Sequence, residues 1–123
     1  MSEASSFVVV RRRSSSRPVF RCRVARSYFE KFQGVMLQQE FEPLLFVFGQ
    51  EDRLLCAIHS LFCLVGFDAV FLDSKKRVVD VRLGIKPFSE VFIVPKKPAK
   101  YLVECMEGSA EGVKEGDELE FEV

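Results

Sequence analysis

"AIHSLFCLVGFDAVFLD", residues 57–73, decides how this chain is read. The run is almost wholly apolar, yet it carries the one histidine of the protein, His59, and a carboxylate, Asp68, between Phe67 and Ala69. Taken from residue 54 to 72, it has the length of a membrane-spanning helix. His59, Ser60, Gly66 and Asp68 argue against that, because an aspartate at the bilayer centre costs about 3 kcal/mol. Phe and Val dominate, and Gly66 divides the run in two. The pattern therefore predicts two core strands joined by a turn.

Working outward, similar short strands recur. "LLFVF" ends at Gly49, "RVVDVRLG" ends before Pro87, "EVFIV" ends at "PKKP", "KYLVECM" ends at "EGSAEG", and "DELEFEV" closes the chain. Upstream, Phe20, Cys22 and Val24 alternate with Arg21 and Arg23, the period of a half-buried strand. One helix is expected in "SYFEKFQGVMLQQ": Ser27 and Glu30 have capping-box spacing, and Phe29, Phe32 and Met36 share a helical face. Gly34 keeps that helix short. About seven or eight short strands with one short helix predict a mainly β fold, a compact antiparallel β-sandwich or barrel. Residues 1–17 read as an N-terminal extension with a basic loop, and residues 18–123 as a single β-rich domain.

Hydrophobic content of 48% and charged content of 29% are globular values. Thirteen Phe and no Trp imply a Phe- and Val-rich interior. The formal net charge is zero, which excludes a global field drawing in nucleic acid or membrane. The charge is nevertheless polarised. Residues 1–26 carry seven Arg against one Glu, whereas residues 104–123 carry eight acids against one Lys. One reading makes these two interaction tails; the other lays the ends side by side. In the second, the Arg21/Arg23 face lies close to the Glu118/Glu120/Glu122 face, with Leu119, Phe121 and Val123 pointing inward.

Cys22, Cys56, Cys63 and Cys105 form no C-x-x-C pair and sit among apolar neighbours, so neither a metal site nor a cofactor is expected. The apolar run at residues 7–10 is too short for a secretion signal, and its Arg cluster follows it. A soluble protein in the cytoplasm, with reduced thiols, is the expectation.

The succession "VARSYFEKFQGVML", "PLLFVF", "IHSLFCLVGFDAVFLD", "RVVDVRLGIKPF", "AKYLVE" and "GVKEGDELEF" resembles the domain of unknown function 192 family, small uncharacterised prokaryotic proteins. The resemblance runs from about Phe20 to Val123. Ala25 with Gly34, Val35 and Met36 matches one segment of the family, and Phe46, Val47 and Phe48 match its "LFVF" strand. Asp68 with Val70, Phe71, Leu72 and Asp73 matches its aspartate-bearing strand. Glu104, Gly108, Gly116 and Asp117 match its ending. His59, Ser60, Leu61 and Phe62 depart from the Trp-Met-Lys-Asn of many members, and Gly66 stands where Pro is usual. The resemblance implies a β-rich sandwich or barrel and supplies no activity.

Three functional readings follow. The leading one is a non-catalytic module that binds a small ligand or a protein partner, with Asp68 and His59 as candidate ligand-binding residues. For these two residues the favoured reading is architectural, with Asp68 accepting backbone N–H groups and fixing a turn and His59 hydrogen-bonded in the core. The first alternative is an enzyme that uses His59 and Asp68 in a cleft as an acid–base pair, although no nucleophile motif accompanies them. The second is a nucleic-acid-binding accessory acting through Arg11, Arg12, Arg13 and Arg17, a segment without interleaved aromatics for base stacking. Lys96, Lys97 and Lys100 would enlarge that patch if they folded beside it. Gly108, Gly112 and Gly116 have no phosphate-loop spacing and read as turns.

Overall fold

Strand alternation gives this chain two apolar faces, and the sheet curls around one of them. The computed structural model describes residues 7–26, 40–58, 64–87 and 93–123. Seven strands run in chain order: β1 (Phe7–Arg12), β2 (Pro18–Ala25), β3 (Leu44–Asp52), β4 (Phe67–Leu72), β5 (Val78–Ile85), β6 (Ala99–Met106) and β7 (Leu119–Glu120). They form one sheet in the order β5-β4-β6-β3-β2-β1-β7. The mainly β expectation holds, as a curled half-barrel. The expected helix at Ser27 to Met36 lies outside the described residues.

One neighbour pair departs from the antiparallel expectation. β2 and β3 are parallel, with Arg23 beside Leu44 and Ala25 beside Phe46. A tight hairpin cannot join parallel neighbours; a crossover of a dozen or more residues is needed. The run from residue 26 to 43 supplies that length.

The inner face carries Val10, Phe20, Cys22, Leu45, Val70, Leu72, Val103, Cys105 and Leu119. Tyr101 meets Phe121 edge-on at 5.0 Å in the same cluster. The outer face of the central strands carries Leu44, Phe46, Phe67, Ala69, Phe71 and Leu102, covered by Phe41, Cys56 and Ile93. β4 is buried along its whole length because it faces an apolar cluster on each side.

The two ends of the strand order meet. Arg77, just before β5, bridges Glu118, just before β7. Val78 N–H donates to Asp117 O at 2.9 Å, and Gly116 N–H donates to Val78 O at 2.9 Å. The chain between β6 and β7 runs from the Gly84 end of β5 to its Val78 end, and it places Ala110 and Val113 in the interior. Arg12 holds the same segment from β1: one guanidinium nitrogen lies 2.9 Å from Asp117 Oδ2, and another donates to Gly112 O at 2.6 Å.

Two sequence expectations need correction. The described residues 54–58 do not pair with β4 across Gly66, since β4 lies between β5 and β6. Asp52 Oδ1 accepts the amides of Leu54 and Leu55, a local turn that overrides the apolar run and leaves both leucines exposed. Only Ile58 makes a bridge there, to Ile93 of the expected "EVFIV" strand, and residues 59–63 and 88–92 lie outside the described residues. Finally, the terminal strand pairs with β1 and not with Val19 to Val24, because the β1–β2 hairpin inserts β1 between them. Arg21 faces Glu42 at 3.5 Å instead, and Val123 is exposed because β7 ends at Glu120.

Burial pushes the Asp117 carboxyl up, but the Lys114 amide and the Arg12 guanidinium outweigh it and hold the group below its ordinary value. A depressed carboxyl stabilises the fold above its unfolded pKa, and that stabilisation is lost as pH falls through the folded one. Arg12→Ala and Asp117→Asn should each cost about 1 kcal/mol near neutrality. The two losses should be non-additive in urea unfolding, and their coupling should vanish in acid.

Candidate functional site

Asp68 lies at the start of β4 and is 1% exposed. Its Oδ1 accepts Gly84 N–H at 2.9 Å. Its Oδ2 accepts Gly108 N–H at 2.9 Å and Ala110 N–H at 3.1 Å. Gly84 and Gly108 have φ of 64° and 95°, a region that a side chain disfavours, and this backbone geometry accompanies the turning of their amides toward the carboxylate. Asp68 therefore clamps β5 to the segment that fills the barrel gap, the architectural role considered from sequence. Its proposed companion, His59, lies outside the described residues.

The basic segment is largely engaged with its own protein. Arg11 donates to Ser16 O at 3.1 Å, Arg12 holds Asp117 and Gly112, and Arg13 lies 3.7 Å from Glu118. Arg17 is exposed at the tip of the β1–β2 hairpin. The polarised ends thus neutralise each other through the β1–β7 neighbourhood. Lys96 pairs with Glu115.

The outer face holds a polar group that sequence reading did not single out as a site. Register partners define a transverse row on that face: Phe7 (β1), Arg23 (β2), Leu44 (β3), Glu104 (β6), Ala69 (β4) and Arg82 (β5). Glu104 is 5% exposed and, among the described residues, its side chain has no hydrogen-bond partner. Burial pushes its carboxyl up to about 8, so it is mostly neutral at pH 7. Fully buried Ala69 flanks Glu104 on one side, and fully buried Leu44 on the other. Beyond Ala69, Arg82 is bound at 3.0 Å to Asp80, a carboxylate 2% exposed that also accepts Lys96 N–H at 2.9 Å. The second Arg82 bond goes to Val94 O at 2.8 Å. On the other side, half-buried Arg23 has no side-chain partner among the described residues. The signal was present in "KYLVECM": Leu102, Glu104 and Met106 share one strand face, so one carboxyl interrupts an apolar stripe.

The three described thiols are poor nucleophiles. Burial pushes Cys22 up to about 12 and Cys56 up to about 11, and it raises Cys105 further. Among the described residues no group of three or more His, Cys, Asp or Glu is placed to hold a metal ion. Among the same residues, no helix is long and apolar enough to cross a membrane.

A curled seven-strand half-barrel with a clamped β6–β7 segment and a buried outer-face carboxyl is the class of protein this geometry defines. The chain belongs to the domain of unknown function 192 family, described as "Uncharacterized ACR, COG1430", whose family model matches residues 9–121. A UPF0127 protein of Pyrococcus furiosus is 40% identical over 101 residues, covering 80% of this chain and 84% of that one. Another, from Thermococcus sibiricus, is 37% identical, covering 84% and 67%. Two solved structures share the fold at 24% identity. A Novosphingobium aromaticivorans protein of unknown function has a TM-score of 0.80 and covers 94% of this chain and 84% of its own. A Sinorhizobium meliloti protein, named as a candidate transcription regulator, has a TM-score of 0.82 and covers 98% and 96%. At that identity the likeness shows the fold alone.

Two variants test the contrast between the carboxylates. Asp68→Asn should lower unfolding stability by about 3 kcal/mol, because an amide group turned toward backbone donors leaves buried amides unpaired. Glu104→Gln should change the pH profile. A folded carboxyl that holds its proton to about 8, against an ordinary 4.5, weakens the fold as pH rises between those values. The wild-type folding equilibrium should therefore lose up to roughly tenfold per pH unit in that window, through this group, and level off above it. Urea titrations of Glu104→Gln should lack that component.

Proposed function

We propose that this protein is a non-catalytic binding domain of the cytoplasm that takes a small ligand on the outer face of β3, β6 and β4. The observation that carries the reading is Glu104, a carboxyl 95% withdrawn from solvent with no partner among the described residues. Leaving a polar group so placed unsatisfied costs about 1–3 kcal/mol, a cost that a bound ligand offsets. Asp68, by contrast, spends its carboxylate on three backbone amides. Buried thiols with no disulfide among the described residues accord with a reducing compartment.

The test is fragment mapping by amide NMR on the whole chain. Fragments that bind should shift the resonances of Leu44, Ala69 and Glu104 together. Perturbations centred on the β1–β2 hairpin with an oligonucleotide, weakening steeply with salt, would replace this reading with the nucleic-acid one.

A further inference from the structure

Among the described residues, Leu54 and Leu55 are the large apolar side chains that are both exposed and adjacent in sequence, at 67% and 52%. A lone surface leucine needs no explanation, but a pair held outward by its own backbone does. Three contacts hold this pair. Asp52 Oδ1 accepts both leucine amides, at 2.7 and 3.2 Å. Cys56 is buried in the outer-face cluster, and its thiol donates to Asp52 O at 3.0 Å. Arg53 Nε–H donates to Pro95 O at 2.9 Å. With the chain pinned on both sides, Leu54 and Leu55 form a convex knuckle that reaches the core only by breaking these contacts.

The same contacts bring cations to the knuckle. Asp52 is the register partner of Ala99, and Arg53 clasps Pro95, so the loop 95–99 lies alongside. Lys97 is exposed and Lys100 half-buried, and neither ammonium has a partner among the described residues. Lys96 is already spent on Glu115. The acids of this corner are held on backbone amides: Asp52 by the leucines, and Glu51 by Ser74 N–H at 2.8 Å. Arg53, Lys97 and Lys100 thus outweigh Glu51 and Asp52 locally, although the whole chain is neutral.

The shape and charge decide what fits. Bases stack on aromatic side chains, and an aliphatic knuckle offers none. Lysines are compact charges on flexible stems, which suit anions that are themselves mobile. Their stems also lie along apolar surface while the charge stays at the water boundary. The surface of an anionic bilayer supplies both layers, an acyl boundary for leucine and phosphates for ammonium groups.

We propose that the Leu54–Leu55 knuckle is a peripheral docking site for an anionic bilayer. The two leucines enter the headgroup boundary, and Arg53, Lys97 and Lys100 pair with the headgroups. This goes beyond the outer-face reading above and does not depend on it.

The experiment is co-sedimentation of the full chain with vesicles of phosphatidylcholine alone, and of phosphatidylcholine with an equal part of phosphatidylglycerol. The anionic vesicles should bind at least about tenfold more tightly, and added salt should weaken them. Leu54→Ser with Leu55→Ser removes exposed side chains, so its melting temperature should match wild type while its affinity for anionic vesicles falls at least about tenfold. Lys97→Gln with Lys100→Gln should lose a similar factor, and Lys97→Arg with Lys100→Arg should retain binding. Absence of binding to the anionic vesicles, or equal binding to both kinds, overturns the proposal. So does wild-type affinity in the folded leucine variant. An oligonucleotide that displaces the protein from vesicles, and binds the leucine variant as tightly as wild type, would assign the lysines to nucleic acid instead. A dimer in sedimentation velocity that the leucine variant abolishes, without vesicle binding, would make the knuckle a contact between copies and overturn the proposal.

Discussion

The fold depends on one buried carboxylate and the three backbone amides it accepts. Asp68 joins two segments that no strand ladder connects: the end of β5 at Gly84, and the turn after β6 at Gly108 and Ala110. A curled sheet of seven strands leaves an open seam between its edges, and unpaired backbone groups along such a seam are costly. Here the seam is filled by Ala110 and Val113 and fastened at its far end by Val78 and Arg12. Asp68 sets where that filling segment begins. The inner cluster, from Val10 to Phe121, is closed as a consequence.

The two buried carboxyls have opposite fates for physical reasons. Asp68 faces a turn rich in free N–H groups and is fully used by them. Glu104 sits mid-strand, where backbone groups are spent on the neighbours β3 and β4. With no donor at hand, burial favours its neutral form. One carboxyl therefore serves architecture, while the other has no hydrogen-bond partner among the described residues. The functional reading moves accordingly, from the inner-facing Asp68 to the outer face. The family to which the chain belongs, and the proteins that share its fold, are consistent with a scaffold whose site residues have to be read from the structure itself.

Much of the strand content was legible in the residues. Phe20 and Cys22 alternate with Arg21 and Arg23, and the inner cluster holds the first pair as expected. Leu119 and Phe121 are buried between exposed glutamates. What misled was an apolar run without its context. Leu54 and Leu55 resemble strand residues, but an Asp52 turn two residues earlier turns the chain and leaves them on the surface. Charge complementarity between the ends was real, yet its partners were Arg12 and Arg13, because a hairpin put β1 beside β7.

The sequence by itself determined that alternating side chains would build a β domain with a Phe- and Val-rich interior, because period-two patterning is a local property. It also marked Asp68 as a residue suited to fixing a turn. Only the tertiary structure decided that β2 and β3 lie parallel, that β1 separates β2 from β7, and that Arg23 and Glu104 flank Leu44. Register between strands far apart in the chain arises from packing on both faces of the sheet at once, and no local window of residues encodes it.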